Sequence, residues 1–426
     1  MNRRRFIEKS LILFSASSFA KYSLGGNINK FSCNVVSNSV VNILDYDCQP
    51  YVEGSGQYFD NREIIQSLID TCSSRNTTSN SRVTIYIPSG VYFLSSLSGR
   101  NVSGSYCLLI PSNIIIQGEG TLKLLPRQYG EGAFFRILAS DITKRISNVD
   151  IIGVTLDGNS SSQVSGVQAS NILLEASDNI KISNVKSINA NGNGILIRGG
   201  GYGKAVKNVT ITNCDVIHCS KIGIQVSQFD GLLIENNRVS FCNDNGIDVY
   251  GDAGREDINK TNGNNFSILN NYVDSCLNGV FPETVSNGNV RNNTLTRMKD
   301  SGIHINRIHN LPQNINVENN TISNSNYGVF LTGDMKNIVI KNNTISKIKV
   351  ACFSFGSDNG VSSGVSVVNN KITITQGDGY LSLFSGLRIN NVVVSDNTLN
   401  IKGVSSLNSL VKKNAKAIDN RTVIVK

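Results

Sequence analysis

The chain has 426 residues, a formal net charge of +9 and only 17% charged residues. Glycine is frequent at 38 residues, proline is scarce at 6 and tryptophan is absent, a composition that favours strands and turns over long helices. No basic run follows residue 20, so the sequence gives no indication of a nucleic-acid partner.

Residues 1–20 form a predicted export signal. The positively charged segment Asn2–Lys9 precedes the apolar run Leu11–Ala20, which is too short to cross a bilayer as a helix. The residues Arg4-Arg5-Phe6-Ile7 resemble a twin-arginine signal, and an ordinary secretory signal is the alternative. We therefore expect a periplasmic or secreted protein with no integral membrane segment once the signal is removed.

The next predicted unit, residues 21–125, comprises an N-terminal cap and the first coils. Its predicted elements are the strand Val41–Asp47, the helix Asp60–Asp70, the strand-turn-strand Val83–Phe93 and the segment Ile114–Leu124. Asp60 is placed to cap the helix, with Glu63 three residues further on. Such a helix would cover the open apolar end of a repeat protein.

Residues 126–402 carry internal repeats, and one pattern recurs five times between Asn208 and Lys347. Each copy has a short apolar run, two asparagines, another apolar pair, a polar turn and a glycine followed by Ile or Val. The first asparagines of successive pairs are Asn236, Asn270, Asn292, Asn319, Asn342 and Asn369. Steps of 22 to 34 residues suit a solenoid coil of three short strands, and we expect about ten coils. Residues 403–426 are the predicted C-terminal cap or tail.

The paired asparagines predict turns that stack from coil to coil. Asparagine tolerates left-handed backbone angles, and its amide can bond to the coil above. Cys219 and Cys242 each precede a repeat glycine by four residues, and Cys276 lies within one residue of the same column, which predicts stacked, buried thiols. Four further cysteines precede the repeats, and some could pair in an oxidising compartment: Cys33, Cys48, Cys72 and Cys107.

The order of strand, capping helix, Ile87-Pro88-Ser89-Gly90 strand and Gly118-Glu119-Gly120 turn, followed by these repeats, resembles the pectate-lyase-like superfamily. The resemblance implies an all-β chain folded as a single-stranded, right-handed parallel β-helix. It carries no intact catalytic set: Asn245–Asp248 matches only part of a polygalacturonase motif, and Gly302-Ile303-His304 lacks the Gly-His-Gly motif. The export signal also makes the chain similar to periplasmic β-helix proteins of exopolysaccharide clusters.

Side chains of a β-strand alternate between two faces, and each position of a parallel coil recurs about 4.8 Å away on the next coil. Counting from each repeat glycine therefore predicts which residues stack. The predicted inner column is Ile195, Ile224, Ile247, Val280, Ile303 and Val329. The first outer column is Leu196, Gln225, Asp248, Phe281, His304 and Phe330. The second outer column is Arg198, Ser227, Tyr250, Glu283, Asn306 and Thr332.

These columns gather reactive side chains on three successive coils. The predicted catalytic residues are Asp248, Glu283, His304 and Tyr250, and the predicted substrate-binding residues are Arg198, Gln225, Phe281, Asn306 and Arg307. Asp248 and Glu283 could act as the two carboxylates of a glycoside hydrolase. Alternatively, Tyr250 or His304 could remove a proton beside a uronate whose carboxylate Arg198 or Arg307 neutralises, which would make the protein a lyase.

The sequence thus predicts an enzyme that cleaves an acidic bacterial or plant polysaccharide along the outer face of the β-helix, with a lyase slightly favoured over a hydrolase. The alternative is a non-catalytic glycan-binding or exopolysaccharide-assembly protein of the cell envelope. The expected partner is a polysaccharide, and the sequence does not fix the oligomeric state. No cofactor or metal is expected; a calcium site from Asp248, Asp252 or Asp257 is conceivable, but no spacing supports it. The outward direction of Glu283 depends on Pro282 not bulging its strand.

Overall fold

A computed structural model describes residues 40–75, 81–98, 105–128, 134–163, 168–199, 205–251, 263–308, 310–356, 363–375, 382–385, 392–402 and 415–425. The export signal and Cys33 lie outside these residues. The described chain winds as an all-β parallel solenoid of about 10 turns, as the sequence predicts. No helix in this part of the chain is both long enough and apolar enough to cross a membrane.

Three parallel sheets, called A, B and C, run along the solenoid. Sheet A contains Val40–Asn42, Val83–Ile87, Ile114–Gly118, Ile146–Ile152, Ser177–Ser183, Val206–Thr212, Phe229–Glu235, Gly263–Leu269, Ser286–Arg291, Gln313–Glu318, Lys336–Lys341 and Val365–Val368. Sheet B contains Val91–Leu94, Thr121–Leu124, Thr155–Asp157, Lys186–Ile188, Asp215–Ile217, Arg238–Ser240, Tyr272–Asp274, Thr294–Thr296 and Lys371–Thr375. Sheet C contains Ser105–Leu109, Phe134–Ala139, Gln168–Glu175, Ile195–Arg198, Ile224–Ser227, Ile247–Tyr250, Val280–Glu283, Ser301–Asn306 and Ser382–Ser385.

Longer strands near the C-terminal end serve two sheets each. Thr321–Thr332 and Thr344–Gly356 pass from sheet B into sheet C, whereas Val392–Lys402 and Ala415–Val425 pass from sheet A into sheet B. The last strand, Ala415–Val425, therefore continues the parallel pairing into residues 403–426, the predicted C-terminal cap or tail. Leu97–Ser98 pairs antiparallel with Ser105–Leu109, unlike the pairings of the three sheets.

The core fills the inside of the coil, because alternate residues of every strand point inward. The predicted inner column of sheet C is confirmed: Ile195, Ile224, Ile247, Val280, Ile303 and Val329 stack in register and are fully buried. Each buried Ile or Val stabilises the fold by about 1.5–3 kcal/mol relative to an exposed one. Since the register of every strand depends on this period of two, the outer columns are fixed as well.

The two asparagines of each repeat pair play different structural roles, one through its backbone and one through its side chain. The first adopts the left-handed conformation, with φ between 55° and 57° in Asn236, Asn270, Asn292, Asn319, Asn342 and Asn369. The second is buried and forms an amide ladder through Asn237, Asn271, Asn293, Asn320, Asn343, Asn370 and Asn397. Each Nδ2 in this ladder donates to the next Oδ1 over 2.9–3.0 Å. The stacked amides thus satisfy one another at the turn between sheets A and B.

The N-terminal helix Arg62–Arg75 covers the first coils with a fully buried apolar face that includes Ile65, Leu68 and Ile69. Asp60 caps it as predicted, because its Oδ1 accepts a hydrogen bond of 3.1 Å from the Arg62 backbone N–H. The predicted strand Val41–Asp47 is shorter than expected: the strand Val40–Asn42 gives way to a 3₁₀ turn at Ile43–Tyr46.

The described cysteines are free thiols and are all buried, so the disulfides considered for Cys48, Cys72 and Cys107 do not form in this structure. The predicted thiol column of Cys219, Cys242 and Cys276 is confirmed by its burial. Hydrogen bonding to Cys219, together with burial, raises the pKa of Cys242. The hydrogen bond to Cys242 and burial likewise raise the pKa of Cys276.

Candidate functional site

The outer face of sheet C carries the predicted site residues in the predicted register. Gln225 pairs with Asp248 and Asp248 with Phe281, while Tyr250 pairs with Glu283. On the following coils, Glu283 pairs with Asn306, His304 with Phe330, and Asn306 with Thr332. The two outer columns are therefore confirmed as neighbours on successive coils, whereas the chemical roles of their members remain predictions.

Asp248 lies beneath the surface of this face, with a residue exposure of only 3%. Asn245, at the turn before the strand, donates a hydrogen bond of 3.0 Å from Nδ2 to Asp248 Oδ2. Asn278 on the next coil donates to Asn245 Oδ1 over 2.8 Å, and the backbone N–H of Ser301 donates to Asn278 Oδ1 over 3.1 Å. A short column of amides therefore orients this carboxylate.

Glu283 points outward, because Pro282 stays in register with Val249 and is buried on the inner side of the strand. The bulge considered at Pro282 is thus absent at this position. Asn306 Nδ2 donates a hydrogen bond of 2.8 Å to Glu283 Oε1. The Glu283 carboxylate is half-buried and lies one coil and two residues from Asp248, which separates their backbones by roughly 8 Å.

His304 is stacked between aromatic rings of the two neighbouring coils. Its ring centroid lies 4.7 Å from that of Phe281, with the two rings edge to face. On the other side, the centroid lies 4.5 Å from that of Phe330, and the planes of His304 and Phe330 are 18° apart. Burial lowers the pKa of His304 to about 4, so the imidazole is neutral at pH 7. Tyr327 stacks on Phe330 at 4.9 Å and lengthens the aromatic cluster.

Both predicted arginines are engaged in ion pairs that the sequence analysis did not identify. Arg198 pairs with the buried Glu175 of the preceding coil, and Arg307 pairs with Asp334 of the next coil. Glu175 is the register partner of Arg198 on the preceding coil. That coil lacks the repeat glycine from which the columns were counted, so the sequence analysis did not place Glu175 beside Arg198. Asp334 follows the strand end, where alternation no longer predicts direction.

Gln225 and Tyr250 occupy the remaining predicted positions. Asn193 Nδ2 donates a hydrogen bond of 2.8 Å to Gln225 Oε1, and the Tyr250 side chain is half-buried beside Glu283. Within the described residues, no three His, Cys, Asp or Glu side chains come together in a way that could hold a metal ion. Asp252 and Asp257, which the calcium hypothesis requires, lie outside the described residues.

Comparison with known proteins identifies the fold family. A family model described as a right handed beta helix region matches residues 143–307 and 256–422. The A-module of the mannuronan C-5 epimerase AlgE4 of Azotobacter vinelandii aligns with a TM-score of 0.60 at 16% identity, over 90% of this chain and 100% of that one. The tailspike protein of the E. coli bacteriophage HK620, in complex with a pentasaccharide, aligns with a TM-score of 0.61 at 13% identity, over 85% of this chain and 67% of the tailspike chain. PfbA, a surface adhesin of Streptococcus pneumoniae, aligns with a TM-score of 0.58 at 14% identity, over 90% of each chain.

Proposed function

Because the chain belongs to the right-handed β-helix family, we propose that it binds a polysaccharide along the outer face of sheet C and hydrolyses one of its glycosidic bonds. The solved neighbours include an epimerase that acts on mannuronan and a tailspike bound to a pentasaccharide, which supports a glycan as the ligand. Their low identity to this chain leaves the reaction to be argued from its own residues.

The position of Asp248 and Glu283 on adjacent coils, two residues apart along the strand direction, carries the proposal. Glycoside hydrolysis needs one carboxylic acid to protonate the leaving glycosidic oxygen and one carboxylate to activate water or attack the anomeric carbon. Water gives one proton to the carboxylate as its oxygen bonds to the anomeric carbon, the bond to the leaving oxygen breaks, and the acid gives its proton to that oxygen. A backbone separation of roughly 8 Å allows carboxyl–carboxyl distances in either range that glycoside hydrolases use.

The charge balance of the face favours hydrolysis over β-elimination. A lyase must neutralise the carboxylate of a uronate, but both arginines already face carboxylates of their own. Among the described residues of the site, the guanidinium groups of Arg198 and Arg307 are outnumbered by the carboxyl groups of Glu175, Asp248, Glu283 and Asp334. This excess of acidic groups disfavours the binding of a polyuronate.

The position of His304 argues in the same direction. A lyase base needs an exposed lone pair, yet Nδ1 of His304 is buried and has no hydrogen-bond partner among the described residues. The other nitrogen, Nε2, lies 2.8 Å from Thr332 Oγ1. These contacts of His304 support hydrolysis as the proposed reaction, in place of the lyase that the sequence slightly favours. An exported protein would meet such a glycan in the periplasm or outside the cell.

The test is incubation with a panel of neutral and acidic polysaccharides, followed by assays for reducing ends and for absorbance at 235 nm. We expect reducing ends without absorbance, abolished by Asp248→Asn and by Glu283→Gln. The matched control is Glu235→Gln, which changes a half-buried glutamate on sheet A and should retain activity. Absorbance at 235 nm would instead indicate an unsaturated uronate and a lyase.

A non-catalytic glycan-binding protein is the second candidate. The observation that favours it is the dense amide and hydroxyl bonding of this face, in which Asn245, Asn306 and Thr332 are each held in place by protein partners. Such a rigid polar surface suits recognition without chemistry. Retention on immobilised polysaccharide, with no product released from any member of the panel, would establish this alternative.

A further inference from the structure

A continuous chain of side-chain hydrogen bonds links Glu283 to His304 across three coils. Asn306 Nδ2 donates to Glu283 Oε1 over 2.8 Å, and Thr332 Oγ1 donates to Asn306 Oδ1 over 2.6 Å. His304 Nε2 lies 2.8 Å from Thr332 Oγ1 and completes the chain. All four side chains project from the outer face of sheet C, since their strands pair in register.

The direction of every proton in this chain follows from the donors available. Asn306 can approach an acceptor-only carboxylate only with its Nδ2, which leaves its Oδ1 to accept from Thr332. A threonine hydroxyl has a single proton, so Thr332 Oγ1 must then accept from His304. His304 therefore carries its proton on Nε2, and the unprotonated nitrogen is the buried Nδ1.

We propose that His304, Thr332 and Asn306 form a positioning relay that holds Glu283 as an oriented carboxylate, so that Glu283 is the base or nucleophile of the site. Every dipole of the relay points its positive end toward Glu283, and hydrogen bonds donated to a carboxylate stabilise its charged form. The stack of Phe281 and Phe330 holds the imidazole plane at the start of the relay. This assignment rests on the proposed function.

The relay also explains why a histidine occupies a position where it contacts no carboxylate itself. Neutral imidazole is a one-proton donor whose direction is fixed by its tautomer. A phenylalanine at residue 304 would preserve the aromatic stack but would leave Thr332 free to rotate. Asn306 would then lose the bond that fixes which end of its amide faces Glu283.

The first measurement is the ¹⁵N NMR spectrum of the histidine side chains in the full-length protein at pH 7. The chain has only three histidines, so variants of the other two assign the His304 signals. We expect a neutral ring protonated on Nε2. A proton on Nδ1, or a charged ring, would overturn the relay whether or not a cleavable polysaccharide is found.

The second measurement compares Thr332→Val with Thr332→Ser on the polysaccharide that the panel identifies. We expect the valine variant to lose about tenfold in kcat with little change in KM, and the serine variant, which keeps the hydroxyl, to recover most of it. Thr210→Val, which removes a half-buried hydroxyl on sheet A, is the matched control. Equal losses in the valine and serine variants would show that Thr332 acts through packing and would overturn the relay.

The two measurements separate the relay from the function on which it rests. An Nε2-protonated His304 in a protein that cleaves no polysaccharide would refute the proposed function and, with it, the assignment of Glu283 as base. Cleavage that depends on Glu283 but not on the Thr332 hydroxyl would leave hydrolysis standing and refute the relay alone.

Discussion

Asn245 donates a hydrogen bond of 3.0 Å to the carboxylate of Asp248, three residues further along the same coil. The carboxyl group is buried, and a buried acceptor that loses its donor costs about 1–3 kcal/mol. Asn245→Ala should therefore lower the free energy of unfolding by about that amount and reduce turnover, as measured by urea denaturation and initial rates. Asn289→Ala is the control, because Asn289 lies on the outside of sheet A, where its Oδ1 accepts a hydrogen bond of 3.2 Å from Asn316. Unchanged turnover in Asn245→Ala would show that Asn245 does not orient Asp248.

Substitutions of the adjacent residues Asn319 and Asn320 should differ strongly in their effect on stability. Asn320 donates to Asn343 Oδ1 and to the Val290 carbonyl, each over 2.9 Å, and accepts from Asn293. Asn320→Ala leaves several buried groups unsatisfied and should cost about 2–5 kcal/mol of stability. Asn319→Gly should change stability little, because glycine adopts its φ of 57° without strain. Denaturation midpoints measure both variants, and equal losses would contradict the division of tasks.

The pH dependence of stability reports the burial of His304. The pKa is 6.5 in the unfolded chain and about 4 in the folded protein, so protonation favours unfolding. The neutral, buried imidazole therefore contributes about 3 kcal/mol to the free energy of unfolding. This stabilisation is fully present above pH 6.5 and is lost as the pH falls through 4. Denaturation midpoints between pH 7 and pH 4 should therefore fall less steeply in His304→Phe than in the wild type. His218→Asn, at an exposed histidine, should follow the wild type.

The buried thiols should resist modification in the folded protein. Burial raises the pKa of Cys48 to about 12 and also raises that of Cys107, and thiolates rather than thiols react with disulfide reagents. In a Cys33→Ala variant, which removes the cysteine outside the described residues, we expect no rapid reaction with Ellman's reagent until denaturant is added. Rapid labelling of the native protein would show that one of these sites opens to solvent.

The repeats by themselves determined the solenoid and the register of its outer face. Because strand side chains alternate with a period of two and the middle coils restart at a glycine, counting from Gly246, Gly279 and Gly302 correctly placed Asp248, Glu283 and His304 on successive coils of sheet C. The paired asparagines likewise predicted stacked turns. These features are local and repeat with the coil, so a single sequence contains them.

Only the tertiary structure decided what each of these side chains contacts. The partners of Arg198 and Arg307 lie one coil away, at Glu175 and Asp334, where irregular coil lengths and strand ends defeat simple counting. The neutral state of His304 also depends on burial between Phe281 and Phe330, which no local pattern specifies. Contacts between coils depend on the packing of side chains that are distant in sequence, which a single sequence does not specify.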